Sequence, residues 1–129
     1  MEAMNRVAPE IVEQQQSTAA KRAPCCANLP KLRFTSAESE EIAAKLKALA
    51  HPVRLQIVSL LAKYEGAVCV CDIESYFHLK QPTISHHLKT LRNVGLIDCE
   101  RRGLWAYYFA QKEALEPLRY LFGTLAKES

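Results

Sequence analysis

The chain has 129 residues, a formal net charge of +3, 49% hydrophobic residues and 24% charged residues, which suits one soluble domain with or without a tail and excludes wholesale disorder. No apolar run approaches the roughly 18 residues needed to span a bilayer, and the N-terminus lacks the charged, apolar, small-residue order of a secretory signal, so the expected location is the cytoplasm. There the five cysteines, Cys25, Cys26, Cys69, Cys71 and Cys99, are expected as free thiols, because four of them fall in two tight pairs and an odd count suits no disulfide framework.

In chain order, residues 1 to about 34 mix Gln14, Gln15, Gln16, Ser17 and Thr18 with Lys21, Arg22, Lys31 and Arg33. Pro9, Pro24 and Pro30 interrupt any helix there, so the stretch reads as a flexible N-terminal arm carrying the Cys25–Cys26 pair, with a short helical piece after Pro9. Residues 35–129 read as the folded domain. Thr35 and Glu38 form a capping-box signal, and Ile42, Leu46 and Leu49 follow at helical spacing. Pro52 suits a first helical position, and Val53, Ile57, Leu60, Leu61 and Tyr64 mark a second amphipathic helix stopped near Gly66, with His51 as its cap. A short third helix fits Val70–Phe77. A fourth opens at Pro82, carries Ile84, Leu88 and Leu91 on one face and ends at Gly95. Two β-rich runs, 96–101 and 104–110, are joined through Arg102-Gly103 as a hairpin with glycine at its tip. A last helix spans 113 to about 126, its start obscured by Pro117.

Helices followed by a hairpin and a closing helix predict a mainly α fold with a β-hairpin, a winged helix-turn-helix. At about 100° per residue, the helix that packs Ile84, Leu88 and Leu91 inward turns Pro82, Thr83, His86, Lys89 and Thr90 outward, with Ser85 at the flank and His87 beside the apolar stripe. Short polar and basic side chains suit contacts to base edges and phosphates in a major groove, and Gln81 at the helix start could pair with adenine. Residues 80 to 102 hold five basic side chains, Lys80, Lys89, Arg92, Arg101 and Arg102, against Asp98 and Glu100, a local excess equal to the +3 of the whole chain. An electrostatic footprint on DNA has that form. The candidate DNA contacts are therefore Gln81, Thr83, Ser85, His86 and Lys89, with Arg101 and Arg102 at the wing tip.

The run Leu46-Lys-Ala-Leu-Ala-His-Pro-Val-Arg-Leu-Gln-Ile-Val-Ser-Leu-Leu61 resembles the second-helix signature of the ArsR/SmtB family of metal-responsive repressors. Gln81-Pro-Thr-Ile-Ser-His-His-Leu-Lys-Thr-Leu91 resembles that family's recognition helix, and Arg101-Arg-Gly-Leu-Trp-Ala-Tyr-Tyr108 its wing. The resemblance covers about residues 38 to 125. It implies a homodimer that represses transcription on an inverted-repeat operator and leaves it when metal binds, with helices near 36–50 and 113–127 forming the interface.

Cys69 falls at the expected cap position of the third helix and Asp72 at its third helical position. A thiol is a poor cap, and losing a good one costs about 1 kcal/mol, so a reason for sulfur is needed. The positive helix end favours thiolate, the ligand form. Residues two apart diverge in a regular helix, but at an extended helix start Cys69 and Cys71 can converge on one soft ion. Cys-Val-Cys-Asp also resembles the family's third-helix metal motif. In the best-known arsenic sensors of that family a third cysteine follows three residues later, where this chain has Glu74. That departure demands another ligand, and the resemblance implies Cys25 and Cys26, as in cadmium- and lead-sensing members. The candidate metal ligands are thus Cys25, Cys26, Cys69 and Cys71.

Three thiolates suit As(III) or Sb(III), the favoured inducers; four suit Cd(II) or Zn(II), and Pb(II) is a further alternative. A thiol redox or persulfide switch is the competing use of the cysteines. Cys99, alone in the wing, is expected to be a small buried hydrophobe. The family's second zinc site needs a His, Asp and Glu set on the last helix, which has Glu113 and Glu116 but no histidine, so that site is expected to be absent. No catalytic constellation or phosphate-binding glycine loop is present, and no enzyme activity or small-molecule substrate is expected.

Overall fold

The computed structural model describes residues 27–127. The chain divides at Glu38/Ser39 into two units, 1–38 and 39–129. Residues 27–35 carry neither helix nor strand. The expected helical piece after Pro9 lies outside the described residues. Helix α1 (Ser36–Leu49) opens with the reciprocal cap read from sequence: Thr35 N donates to Glu38 Oε1 at 2.9 Å, and Glu38 N donates to Thr35 Oγ1 at 3.1 Å.

Helix α2 (Pro52–Lys63) has proline in its first turn, where the missing N–H is harmless. His51 holds an extended backbone before it, and its Nδ1 accepts the Val53 N–H at 3.2 Å. The helix ends at Lys63, short of Gly66, which serves the following turn at φ +108. A two-residue strand β1 (Val68–Cys69) then leads without a break into α3 (Val70–Phe77). The turn after α3 rests on a non-glycine residue, His78, in the left-handed region at φ 56, where the Leu79 N–H reaches back to the Glu74 carbonyl at 3.4 Å. Helix α4 (Gln81–Asn93) begins one residue earlier than the sequence pattern suggests, with Pro82 in its first turn.

Strands β2 (Ile97–Arg102) and β3 (Trp105–Ala110) form the hairpin. Arg102 pairs with Trp105, so the turn is Gly103–Leu104 and not Arg102-Gly103. Gly103, at φ +66, occupies the first central position, which suits a two-residue turn of the II′ kind. Strand β1 adds to β3 through Val68↔Tyr108 and Cys69↔Tyr107, and the antiparallel sheet runs β1-β3-β2. Helix α5 (Lys112–Leu125) keeps Pro117 within it. The bond that proline cannot make would go to the carbonyl of Glu113, an exposed residue that water can serve.

The largest fully buried side chains come from every layer of the motif: Ile57 and Leu61 of α2, Ile73 of α3, Ile84, Leu88 and Leu91 of α4, and Leu96 and Ile97 at the start of the wing. Each such side chain stabilises by about 1.5–3 kcal/mol relative to exposure. This shared core sets the angle between α3, α4 and the wing.

Candidate nucleic-acid interface and thiol site

The inward stripe of α4 is the expected one, and the packing it imposes leaves Gln81, Thr83, Ser85, His86 and Lys89 exposed on the other side. Lys80, the residue before the helix, makes no side-chain cap bond, so the first N–H groups remain available to an anion. Ser85 and Lys89 line a cleft of about 460 Å³ with Arg92, Asn93 and Tyr108. Arg92 closes one side by an ion pair to Asp98 of β2 at 3.1 Å.

The hairpin's alternation separates the two arginines expected at the wing. Cross-strand partners share a face: Arg101 goes with Ala106 and Cys99 with Tyr108, whereas Arg102 goes with Trp105 and Glu100 with Tyr107. Arg101 and Tyr108 line a cleft with Gln81 and Ser85, so Arg101 lies on the recognition-helix side. Arg102 sits on the other face, 2.8 Å from Glu100 and 4.3 Å over the Tyr107 ring. Its charge is already engaged, and the residue is a strand end and not part of the turn.

Cys69 and Cys71 do converge. Cys69 caps α3 with extended backbone, φ −62 and ψ 141, and forms no side-chain cap bond; its Sγ lies 2.8 Å from that of Cys71. Cys69 is buried and Cys71 is exposed. The expectation that the helix end favours thiolate fails at Cys71, whose thiol is raised above its ordinary value. The hydrogen bond with Cys69 is the main cause, followed by desolvation and by the negative charges of Cys69 and Asp72. At Cys71 the neighbouring sulfur and carboxylate act against the helix end. Two soft donors that meet, one buried and one exposed, fit a thiophilic ion in part. Among the described residues no group of three His, Cys, Asp or Glu side chains stands together to hold a metal. Cys25 and Cys26 lie outside the described residues.

Arg54 is the residue that sequence reading overlooked. Its Nε donates to the Ala48 carbonyl at the end of α1, at 2.6 Å, and its Nη1 lies 3.3 Å from His87 Nδ1. The signal was present as an arginine one turn into a helix that follows His51-Pro52. His87 is 7% exposed, its ring 4.5 Å from that of His51. Desolvation, then the charges of His51, Arg54 and His86, lower its pKa and hold it neutral. His87 is thus a packed residue that joins the recognition helix to the α1–α2 junction. Cys99 is half-buried rather than buried and sits opposite Tyr108, whose phenol is raised chiefly by burial and also by Cys99.

Residues 51–98 match the family described as "Bacterial regulatory protein, arsR family". The arsenical resistance operon repressor of Bacillus subtilis is 40% identical over 74 residues, 57% of this chain and 70% of that protein. The cadmium resistance transcriptional regulatory protein CadC of Listeria innocua is 33% identical over 82 residues, 64% of this chain and 68% of that protein. A homodimeric winged helix-turn-helix DNA-binding domain from Mycobacterium bovis, described as a possible ArsR-family regulator, superposes with a TM-score of 0.59 at 30% identity, covering 77% of this chain and 90% of that domain. These relatives are regulators, and none is described as an enzyme.

Proposed function

The chain belongs to the ArsR family of bacterial transcriptional regulators and is a winged helix-turn-helix DNA-binding repressor, and from that premise we propose that it is a homodimeric, cytoplasmic sensor of trivalent arsenic or antimony. Its operator is an inverted repeat, read by Gln81, Thr83, Ser85, His86 and Lys89 of each recognition helix and by Arg101 of each wing. Arg102 acts more weakly there because Glu100 and Tyr107 hold it. Cys69 and Cys71 bind the inducer, with a third or fourth thiolate from Cys25 and Cys26. The observation that carries this reading is the 2.8 Å approach of the two sulfurs at the first turn of α3, the helix that runs through a three-residue turn into the recognition helix.

Cys69 caps α3 and belongs to the sheet, through its pairing with Tyr107, so drawing Cys69 and Cys71 together about a ligand acts on the wing and on the helix-turn-helix at once. Reorientation of α3 shifts the half-site spacing of the dimer, a population shift that needs a coupling of about 1–3 kcal/mol. Thiophilic ions supply the positive charge that lets both sulfurs deprotonate.

A divalent soft metal is the second reading, favoured by the match to a cadmium regulator and by Glu74 where a third local cysteine would complete a three-thiol set. Operator affinity measured by fluorescence anisotropy with As(III), Sb(III), Cd(II), Pb(II) and Zn(II), in wild type and in Cys69→Ser/Cys71→Ser, tests both. As(III) and Sb(III) are expected to release wild-type protein and not the variant. Release by Cd(II) alone supports the second reading. Release of the double variant by As(III) refutes the thiol assignment, and release by oxidants alone moves the cysteines to redox sensing.

A further inference from the structure

Helix α1 ends at Leu49, and its last carbonyls have no partner within the helix. Those of Lys47 and Leu49 accept backbone N–H groups, from Ala50 at 3.2 Å and from His51 at 2.8 Å. That of Ala48, a residue 4% exposed, accepts the Nε–H of Arg54 instead. The same guanidinium reaches α4, where its Nη1 stands 3.3 Å from His87 Nδ1. One planar side chain of α2 therefore bridges α1, a helix expected at the dimer interface, and the recognition helix. Its rigid fork fixes both contacts together, which a lysine ammonium on a flexible stem does not.

The contact between Arg54 and His87 has a direction. Arginine only donates, so His87 Nδ1 must accept, and the ring proton sits on Nε2. A second proton would occupy Nδ1 and set an N–H, with a full positive charge, against the guanidinium. The groups around the ring offer it no relief. Arg54 faces it from α2, the His51 ring from the α1–α2 junction at 4.5 Å, and the His86 ring from α4 itself at 5.9 Å. Helix α1 presents its Ala48 carbonyl to Arg54. All three neighbours are cations or become cations in acid. Among the described residues, the ion-paired carboxylates Asp98, Glu100 and Glu116 serve other arginines. His87 is nearly closed to water, so a charge added there is poorly screened.

We propose that Arg54 and His87 form a proton-sensitive latch that holds the recognition helix in place against α1, and that protonation of His87 opens the latch and releases the operator. The proposal rests on α4 being the recognition helix. Desolvation, and then the charges of His51, Arg54 and His86, keep the His87 ring neutral and the latch closed until the solution is acid. Extra protons on a DNA-binding face ordinarily strengthen attachment to phosphates, and His86, exposed on the outer side of α4, follows that rule. The latch runs the other way: acid lowers affinity for the operator while unrelated DNA is held as well or better. Orientation, and not charge, is what His87 controls.

The probe is a fluorescein-labelled duplex bearing the inverted repeat that wild-type protein selects from a random pool at neutral pH, with a shuffled duplex beside it. Imidazole ¹⁵N NMR of the full-length chain is expected to show His87 as the Nε2–H tautomer and to give its midpoint on acidification. Below that midpoint, operator affinity is expected to fall by up to roughly tenfold per pH unit for each subunit, with the shuffled duplex undiminished. His87→Asn keeps an oxygen acceptor near the Nδ1 position and does not titrate, so it is expected to lose this fall. Arg54→Lys keeps the charge but not the fork, and is expected to lower operator affinity at neutral pH by roughly tenfold, the value of one charged hydrogen bond, and to flatten the pH profile. His51→Asn keeps a capping side chain and removes a neighbouring cation, so the fall is expected to persist at a higher pH.

An Nδ1–H tautomer at neutral pH overturns the contact. Parallel pH profiles for wild type and His87→Asn overturn the switch, and a fall that vanishes in His51→Asn takes it away from His87. Circular dichroism at each pH separates positioning from folding: helix signal lost before or together with operator binding overturns the latch in favour of unfolding. Selection of no inverted repeat by wild-type protein instead overturns the recognition reading on which the latch rests.

Discussion

Cys69→Ser separates what the sulfur does for the fold from what it does for a ligand. Cys69 already holds cap backbone but makes no side-chain cap bond. A serine hydroxyl there can accept the Asp72 N–H, and a good cap is worth about 0.5–2 kcal/mol over a poor one. Against this gain, the Cys69 residue is 7% exposed, and exchanging its buried sulfur for oxygen forfeits about 0.8 kcal/mol, the value of one buried methylene. The hydroxyl is not left unpaired, so no further desolvation cost arises. The two effects nearly cancel, leaving a net change of about 1 kcal/mol or less and a melting shift within about 4–8 °C for a domain of this size. Ile73→Ala, four residues on and 0% exposed, should cost about 2–5 kcal/mol and calibrates a true packing loss. Thermal unfolding by circular dichroism, paired with operator anisotropy, is expected to give Cys69→Ser a near-wild-type melt, normal operator binding and no release by arsenite. A destabilisation as deep as that of Ile73→Ala makes the sulfur a packing atom, and retained release by arsenite removes it from the ligand set; either result refutes the reasoning.

Lys89→Ala should weaken every DNA sequence alike and reduce the slope of log affinity against log salt by about 0.9; an unchanged slope removes Lys89 from the phosphate contacts. Arg101→Ala should lower the slope similarly, whereas Arg102→Ala should leave it nearly unchanged, because Glu100 and Tyr107 already hold that guanidinium; equal slopes for the two variants contradict the face assignment. His87 gives a pH dependence of defined sign. Its folded pKa is lowered from 6.5, so below that pH the unfolded chain binds more protons than the native one. Stability is complete above about pH 6.5 and declines as pH falls toward the folded value. Urea midpoints across that range should fall in wild type and fall less in His87→Gln; parallel curves place the titration elsewhere.

Much of this architecture is legible in local chemistry. Thr35 with Glu38, Pro52 after His51, and glycine at 103 announce helix starts and a turn because each satisfies a backbone requirement within three or four residues. The apolar period of Ile84, Leu88 and Leu91 assigns the faces of α4 by geometry alone. Placement of residues whose partners are distant in sequence is another matter. The Cys-Val-Cys run reads as a helix start, yet Val68 and Cys69 are also a strand, because β3 presents Tyr107 and Tyr108 about forty residues later. Arg102 reads as a turn residue, and a one-residue difference in register makes it a strand residue on the face away from Arg101, since side chains alternate along a strand.

By itself the sequence determined the element order, the inward stripe of the recognition helix, the basic excess at residues 80–102 and the convergence of two thiols on one helix start. These follow from spacings of four residues or fewer and from composition. The tertiary structure decided which arginine joins the recognition helix, that Arg54 and His87 tie that helix to the α1–α2 junction, and that Cys71 opens on a cleft shared with Gln81, Ser85 and Trp105. Those outcomes depend on packing one buried core between α2, α3, α4 and β2. Packing sets the angles between elements, and no local spacing encodes an angle.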